Sequence, residues 1–147
     1  MSAGGRAIYV AEPPLHYQTR PPLVVDSSLV CALLFDEPDR LDAQARLAGR
    51  RLVAPQLLDH EVVNVAVQKQ RRGMPAAMVE QALRDYLEQD LELVPTDLMA
   101  QFFLAQRYAL SAYDAAYLWL AAELKAPLAT FDRRLGDAAT RHLGALE

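Results

Sequence analysis

The sequence contains a single cysteine, Cys31, so no disulfide bond can form within the chain. Cys31 lies in the apolar run at residues 29–34, where we expect a buried, reduced thiol. The first residues lack the apolar segment of a signal peptide, and no apolar stretch is long enough to span a bilayer. These absences argue against a secreted or membrane-embedded protein and predict one of the reducing cytoplasm.

The sequence also lacks an excess of basic residues. The chain has fifteen Lys and Arg residues and nineteen Asp and Glu residues, which gives a formal net charge of −4. Non-specific binding of nucleic acid usually needs a basic surface, so the composition argues against that mode of binding. It does not exclude a nucleic-acid substrate, because cations bound by converging acids would reverse the local charge.

The length and composition predict one domain. The chain has 147 residues, of which 52% are hydrophobic and 23% charged, enough for one sizeable core. Residues 1–21 contain paired glycines and prolines without sustained periodicity, so we predict an irregular N-terminal extension there. A short strand is possible at residues 7–11. The domain itself is predicted over residues 22–147.

Strand-like runs alternate with helical patterns from residue 23 onward. Strands are predicted at residues 23–25, 52–54, 91–94 and 127–130, with a further short strand at 143–146. Helices are predicted from the first strand to about residue 35, at 39–48, 56–71, 76–89, 97–108 and 112–124, and after residue 132. This alternation predicts an α/β fold with a mainly parallel central sheet of four to five strands, flanked by helices.

Two acids follow predicted strands. Asp26 comes directly after the strand at residues 23–25, and Asp132 lies two residues beyond the strand at 127–130. Both positions belong to the carboxyl edge of a parallel sheet, where open α/β sheets bind ligands. The alternative for each is a helix N-cap, a position that Asp suits well.

Two further acids interrupt apolar helical patterns, which is costly unless the carboxylate is paired or bound to metal. Glu61 falls on the apolar stripe of its helix, and Asp114 lies in a helix that is apolar nearly all round. Asp114 could also simply complement the helix dipole. We expect the other acids on solvated surface, including the loop cluster Asp36, Glu37, Asp39 and Asp42.

Several carboxylates that converge without His or Cys among them favour Mg²⁺ or Mn²⁺ over zinc, and a phosphate ester as the substrate. Ser28, Thr130 and Asn64 are candidates for orienting those carboxylates, although Ser28 could equally cap a helix and Thr130 could be an ordinary strand residue. His60 is an alternative metal ligand or general base, but a solvated position fits it better.

The segments that carry the four acids resemble those of PIN-domain ribonucleases, and most closely VapC-type toxins. They are VVDSS at residues 24–28, HEVVN at 60–64, SAYDAAYL at 111–118 and TFDRRL at 130–135. The resemblance runs from residue 23 to the C-terminus, in the family's order and spacing. The extension before residue 22 lies outside it.

The resemblance implies a Mg²⁺- or Mn²⁺-dependent endoribonuclease in which Asp26, Glu61, Asp114 and Asp132 bind metal and are catalytic. It also implies a homodimer and a cognate antitoxin whose tail occupies the active-site groove. Candidates for RNA contacts are Arg71, Arg72, Arg133 and Arg134, although basic pairs at helix ends are more often merely exposed.

Three alternatives stay open. A PIN-domain nuclease of RNA processing would share these motifs without being a toxin. A PIN-like binding module would have lost the chemistry, but all four acids are present. A phosphatase or phosphotransferase using Asp26 as nucleophile would be expected to carry a second Asp at position 28, where Ser28 stands.

Overall fold

The computed structural model describes residues 4–13, 20–35 and 37–146. Parts of the predicted extension, the loop residue Asp36 and the last residue lie outside this description. In chain order the elements are β1 (Tyr9–Ala11), β2 (Pro22–Val25), α1 (Ser27–Leu34), α2 (Arg40–Leu47), β3 (Arg51–Pro55), α3 (Leu58–Arg71), α4 (Ala76–Leu87), β4 (Leu91–Val94), α5 (Leu98–Tyr108), α6 (Ala112–Leu124), β5 (Leu128–Thr130) and α7 (Arg133–Gly144).

The five strands form one sheet in the order β1-β5-β2-β3-β4. β2 pairs in parallel with β3 and with β5, β3 pairs in parallel with β4, and β1 runs antiparallel to β5 at the edge. The predicted α/β fold with a mainly parallel sheet is therefore confirmed. Val25 lies opposite Ala129, so the chain leaves β2 and β5 side by side at Asp26 and Thr130.

The path of the chain across the sheet creates a switch point beside β2. The chain moves from β2 through β3 to β4, and then returns across the sheet to β5. Because crossovers between parallel strands are right-handed, α1–α4 and α5–α6 lie on opposite faces. The switch point falls between β2 and β5, whose residues are fully buried along both strands. Ligands in open α/β sheets bind at such a point.

The N-terminal segment is joined to the sheet. The possible strand near residue 7 is confirmed as β1, and it makes part of the predicted extension the fifth strand. Arg6 binds Asp39 through its Nε at 2.6 Å, also contacts Glu37, and lies 4.7 Å above the Phe131 ring. Asp39 is buried, so its expected place on solvated surface is wrong. The hydrogen bonds from Arg6 lower the pKa of Asp39.

The predicted strand at residues 143–146 is wrong, because α7 continues to Gly144. Leu135, Ala139 and Leu143 are fully buried and recur every four residues, which places them on one helical stripe. That stripe packs into the core, and the short apolar run at the end of the chain belongs to it. Cys31 is buried as predicted. Across the described ranges, none of the helices has the length and apolar character needed to cross a membrane.

Candidate active site

Asp26 is the most buried of the four acids, with 4% of its surface exposed. It caps α1, because its Oδ1 accepts the Leu29 N–H at 3.3 Å. Oδ1 also accepts the Ser28 hydroxyl at 2.6 Å, and Oδ2 accepts the Thr130 hydroxyl. The cap and a place at the sheet edge are thus compatible, and both oxygens of the carboxylate are held.

The same two hydroxyls connect the end of β5 to Asp26. The Phe131 N–H donates to the Ser28 Oγ at 3.0 Å, and the Asp132 N–H donates to the Thr130 Oγ1 at 2.9 Å. Asp132 is exposed and caps α7, its Oδ1 accepting the Leu135 N–H at 3.1 Å. Asp132 is therefore held at two points, by the Thr130 hydroxyl at its N–H and by the Leu135 N–H at its carboxylate.

Glu61 is half-buried and reaches the site from α3. Its Oε1 accepts the Tyr117 hydroxyl at 2.6 Å, and its Oε2 accepts the Ser27 hydroxyl at 3.2 Å. Neither partner was predicted. Tyr117 carried a usable signal, because a tyrosine hydroxyl on a buried apolar helix usually needs a hydrogen-bond partner. Ser27 carried none beyond its place next to Asp26.

Asp114 lies in the first turn of α6, where its N–H donates to the Ser111 Oγ at 3.1 Å. The helix is buried as expected, but the Asp114 carboxylate itself is only partly buried. Asp114 is therefore half-buried, as Glu61 is. Both side chains sit at the margin of the core, where a carboxylate keeps contact with solvent.

The pKa values show which carboxylates influence one another. Burial raises the pKa of Asp26 to about 6, and repulsion from Asp114 contributes to this rise. Burial also raises the pKa of Glu61, again with a contribution from Asp114. The pKa of Asp114 is raised by burial and then by Asp132, while Arg134 lowers it. Asp114 thus interacts with each of the other three acids.

Other candidates stand apart from these contacts. Asn64 and His60 are exposed and line a cavity beside Glu61, and in the described part of the chain no hydrogen bond joins Asn64 to Glu61. Arg133 forms an exposed ion pair with Asp137 at 3.9 Å. Within residues 4–13, 20–35 and 37–146, no three His, Cys, Asp or Glu side chains are grouped closely enough to hold a metal ion as they stand.

The raised pKa of Asp26 predicts how the stability of the metal-free protein depends on pH. The ordinary pKa is 3.8 and the folded-state pKa is about 6, so the folded state binds this proton more tightly. The resulting stabilisation is fully present below the ordinary pKa and is lost as pH rises through the folded-state pKa. We expect a loss of about 2 kcal/mol between pH 4 and pH 7.

Urea unfolding in EDTA at both pH values would measure this loss. Asp26→Asn still caps the helix but carries no carboxylate, so it should lack the part of the unfolding free energy that Asp26 makes dependent on pH. Asp97→Asn is the matched control, because Asp97 also caps a helix through its side chain but is exposed. If the difference in unfolding free energy between wild type and Asp26→Asn is the same at both pH values, folding does not raise the pKa of Asp26.

The parallel sheet thus brings Asp26 and Asp132 to the switch point between two central strands, where open α/β sheets bind ligands. The family model that describes the PIN domain matches residues 23–140 of the sequence. The chain therefore belongs to the PIN domain family.

Curated relatives agree with this assignment. VapC ribonuclease Mb0985 of Mycobacterium bovis and Ribonuclease VapC9 of Mycobacterium tuberculosis are each 35% identical to this chain over 118 residues, which cover 78% of this chain and 89% of each relative. Ribonuclease VapC3 of Pyrobaculum aerophilum is 29% identical over 121 residues, covering 78% and 92%.

A solved structure shares the fold. The crystal structure of PAE2754 from Pyrobaculum aerophilum superposes with a TM-score of 0.64 and 22% sequence identity. The match covers 90% of this chain and 96% of that chain. At this identity the likeness concerns the fold alone.

Proposed function

We propose that the protein is a metal-dependent endoribonuclease that hydrolyses RNA phosphodiester bonds at the switch point of its sheet. The observation that carries this proposal is that β2 and β5 end side by side, where the Thr130 hydroxyl donates to Asp26 and accepts the Asp132 N–H at 2.9 Å. The raised pKa values of Asp26, Glu61 and Asp114, each with a contribution from another of these acids, support it. Like charges held near one another favour the binding of a cation. The relatives named as ribonucleases support RNA as the substrate.

The residues present fit Mg²⁺ or Mn²⁺. The four candidate ligands Asp26, Glu61, Asp114 and Asp132 offer carboxylate oxygens only, which hard divalent cations prefer. Burial and mutual repulsion raise the pKa of three of them, and a bound cation would relieve both effects. When bound, the metal supplies a Lewis acid that stabilises the charge developing on the phosphoryl group.

Hydroxyl groups orient the carboxylates of Asp26 and Glu61. Ser28 and Thr130 fix Asp26, and Tyr117 and Ser27 fix Glu61, so each carboxylate is held in one orientation. Arg134, which lowers the pKa of Asp114, adds a positive charge near the site that an RNA phosphate would favour. These contacts support a site in which acids bind a cation and a nearby basic group favours the substrate.

Removal of divalent metal is the direct test. We expect purified protein to cleave single-stranded RNA with Mg²⁺ or Mn²⁺, and cleavage to stop in EDTA and return when excess metal is added. Gel analysis of an end-labelled oligonucleotide and mapping of cut sites on total RNA would measure this. Cleavage that persists in EDTA after metal-free preparation would refute metal dependence.

We further propose that this nuclease is a toxin controlled by a cognate antitoxin in the cytoplasm, where both its RNA substrate and a reduced Cys31 are expected. The resemblance to VapC-type ribonucleases supports this. The product of an adjacent small gene should co-purify with the chain and inhibit it. Absence of such an inhibitor would favour a nuclease of RNA processing.

A homodimer is proposed on the basis of α5, which contributes no residue to the buried core. Its exposed apolar side chains are Leu98, Met99, Phe102 and Phe103, with exposed fractions of 74%, 62%, 50% and 58%. An apolar helix face of this kind is typical of a protein interface, and a second copy of the chain would cover it. Sedimentation as a monomer at micromolar concentration would contradict this proposal.

A further inference from the structure

A cavity opens directly beside Glu61. Its volume is about 490 Å³, and its walls include the exposed side chains of His60, Asn64 and Tyr113 together with Ser27 and Glu61. The volume falls within the range of small-molecule binding sites. None of the hydrogen bonds that hold Asp26 uses these three exposed side chains.

Tyr113 is the unusual member of this wall. It lies at the start of α6, immediately before Asp114, and 62% of its side chain is exposed. A large aromatic ring left in solvent next to candidate metal ligands offers a flat face for stacking. His60 and Asn64 add hydrogen-bonding groups at the same wall, and Leu57 and Val65 provide apolar surface.

This combination suits a nucleobase. Proteins read single-stranded RNA by stacking unpaired bases on aromatic side chains and by hydrogen bonding to the base edges. The chain has a net charge of −4, so contacts to phosphates alone give weak attraction. Stacking needs no net positive charge, so it would add RNA affinity that contacts to phosphates alone do not provide.

We propose that the cavity beside Glu61 is a subsite that holds one unpaired nucleobase of the RNA, stacked on Tyr113 and contacted at its edge by His60 and Asn64. The inference rests on the proposed ribonuclease function and describes how the site binds the RNA strand. A base held here fixes the strand against Glu61, so it selects single-stranded RNA and sets the position of the cut.

The test combines a protein variant with altered substrates. A single-stranded RNA with one mapped cleavage site is prepared as a series in which each nucleotide near the cut is made abasic in turn. For the wild type, one abasic position should raise KM by roughly tenfold to a hundredfold. Tyr113→Ala should raise KM for the intact RNA by a similar factor with little change in kcat, and should be much less sensitive to that abasic position than the wild type.

Two variants serve as controls. Tyr113→Phe keeps the ring face and should recover most of the affinity that Tyr113→Ala loses. Leu87→Ala removes an exposed side chain outside the cavity and should leave KM unchanged. A wild type that cleaves RNA but shows no sensitive abasic position would overturn the subsite. So would a Tyr113→Ala variant whose KM equals that of the wild type, an outcome that would fit a protein partner in the cavity. Failure of the wild type to cleave any RNA with metal would instead overturn the proposed function.

Discussion

Asp114→Asn is expected to reduce RNA cleavage with Mg²⁺ or Mn²⁺ by roughly a thousandfold while leaving the fold intact. Asp114 is the acid that interacts with Asp26, Glu61 and Asp132, so its loss removes the shared negative charge that attracts the cation. The substitution keeps the backbone N–H that Ser111 accepts. Unfolding free energy without metal should stay the same or rise slightly, because repulsion among the carboxylates decreases.

Glu123→Gln is the matched control, since Glu123 is an exposed acid on the same helix. It removes one negative charge from α6 without touching the site and should keep wild-type kcat. Circular dichroism and urea unfolding would establish that both variants are folded. Full activity in a folded Asp114→Asn variant would show that Asp114 is not a required metal ligand. It would contradict the proposed mechanism.

Gly136→Ala is expected to destabilise the protein by about 2 kcal/mol, although the same change inside a helix normally stabilises it. A Cβ at Gly136 would lie 2.4 Å from the Tyr9 Cβ, an atom fixed to the backbone of β1. No side-chain rotation relieves that contact, so β1 must move away from α7. Urea unfolding gives the loss of stability, and amide hydrogen exchange in β1 should rise with it.

Gly144→Ala tests the same substitution at the end of the same helix, where an added Cβ would meet nothing within 4 Å. It should be neutral or slightly stabilising. In a Tyr9→Gly background, Gly136→Ala should no longer destabilise the protein, because the opposing Cβ has been removed. Destabilisation that persists in this background would mean that β1 is not the cause.

The helices and the parallel strands could be predicted because their signals are local. Caps such as Asp26, Asp97 and Asp132 stand in the sequence next to the helices they begin. The strand β1 was expected only as a possibility, since three residues carry little periodicity. Its place depends on Gly136, which supplies the room for Tyr9 from the far end of the chain.

The four candidate acids could be selected from the sequence, but their partners could not. Thr130 and Asp26 are 104 residues apart, and Tyr117 and Glu61 are 56 residues apart. These contacts follow from strand order and helix packing, which no local pattern encodes. The partial exposure of Asp114 could not be predicted either, because an apolar helix does not reveal which of its turns reaches the surface.

The central position of β5 has a consequence during synthesis. β5 is the last strand to leave the ribosome, yet it lies between the first two strands of the chain. Until it emerges, β1 lacks the strand with which it pairs, and Asp26 lacks the Thr130 hydroxyl. Contacts this distant in sequence also form slowly. A nascent chain of this protein should therefore remain inert as a nuclease until translation is nearly complete, which delays activity beside the ribosome that makes it.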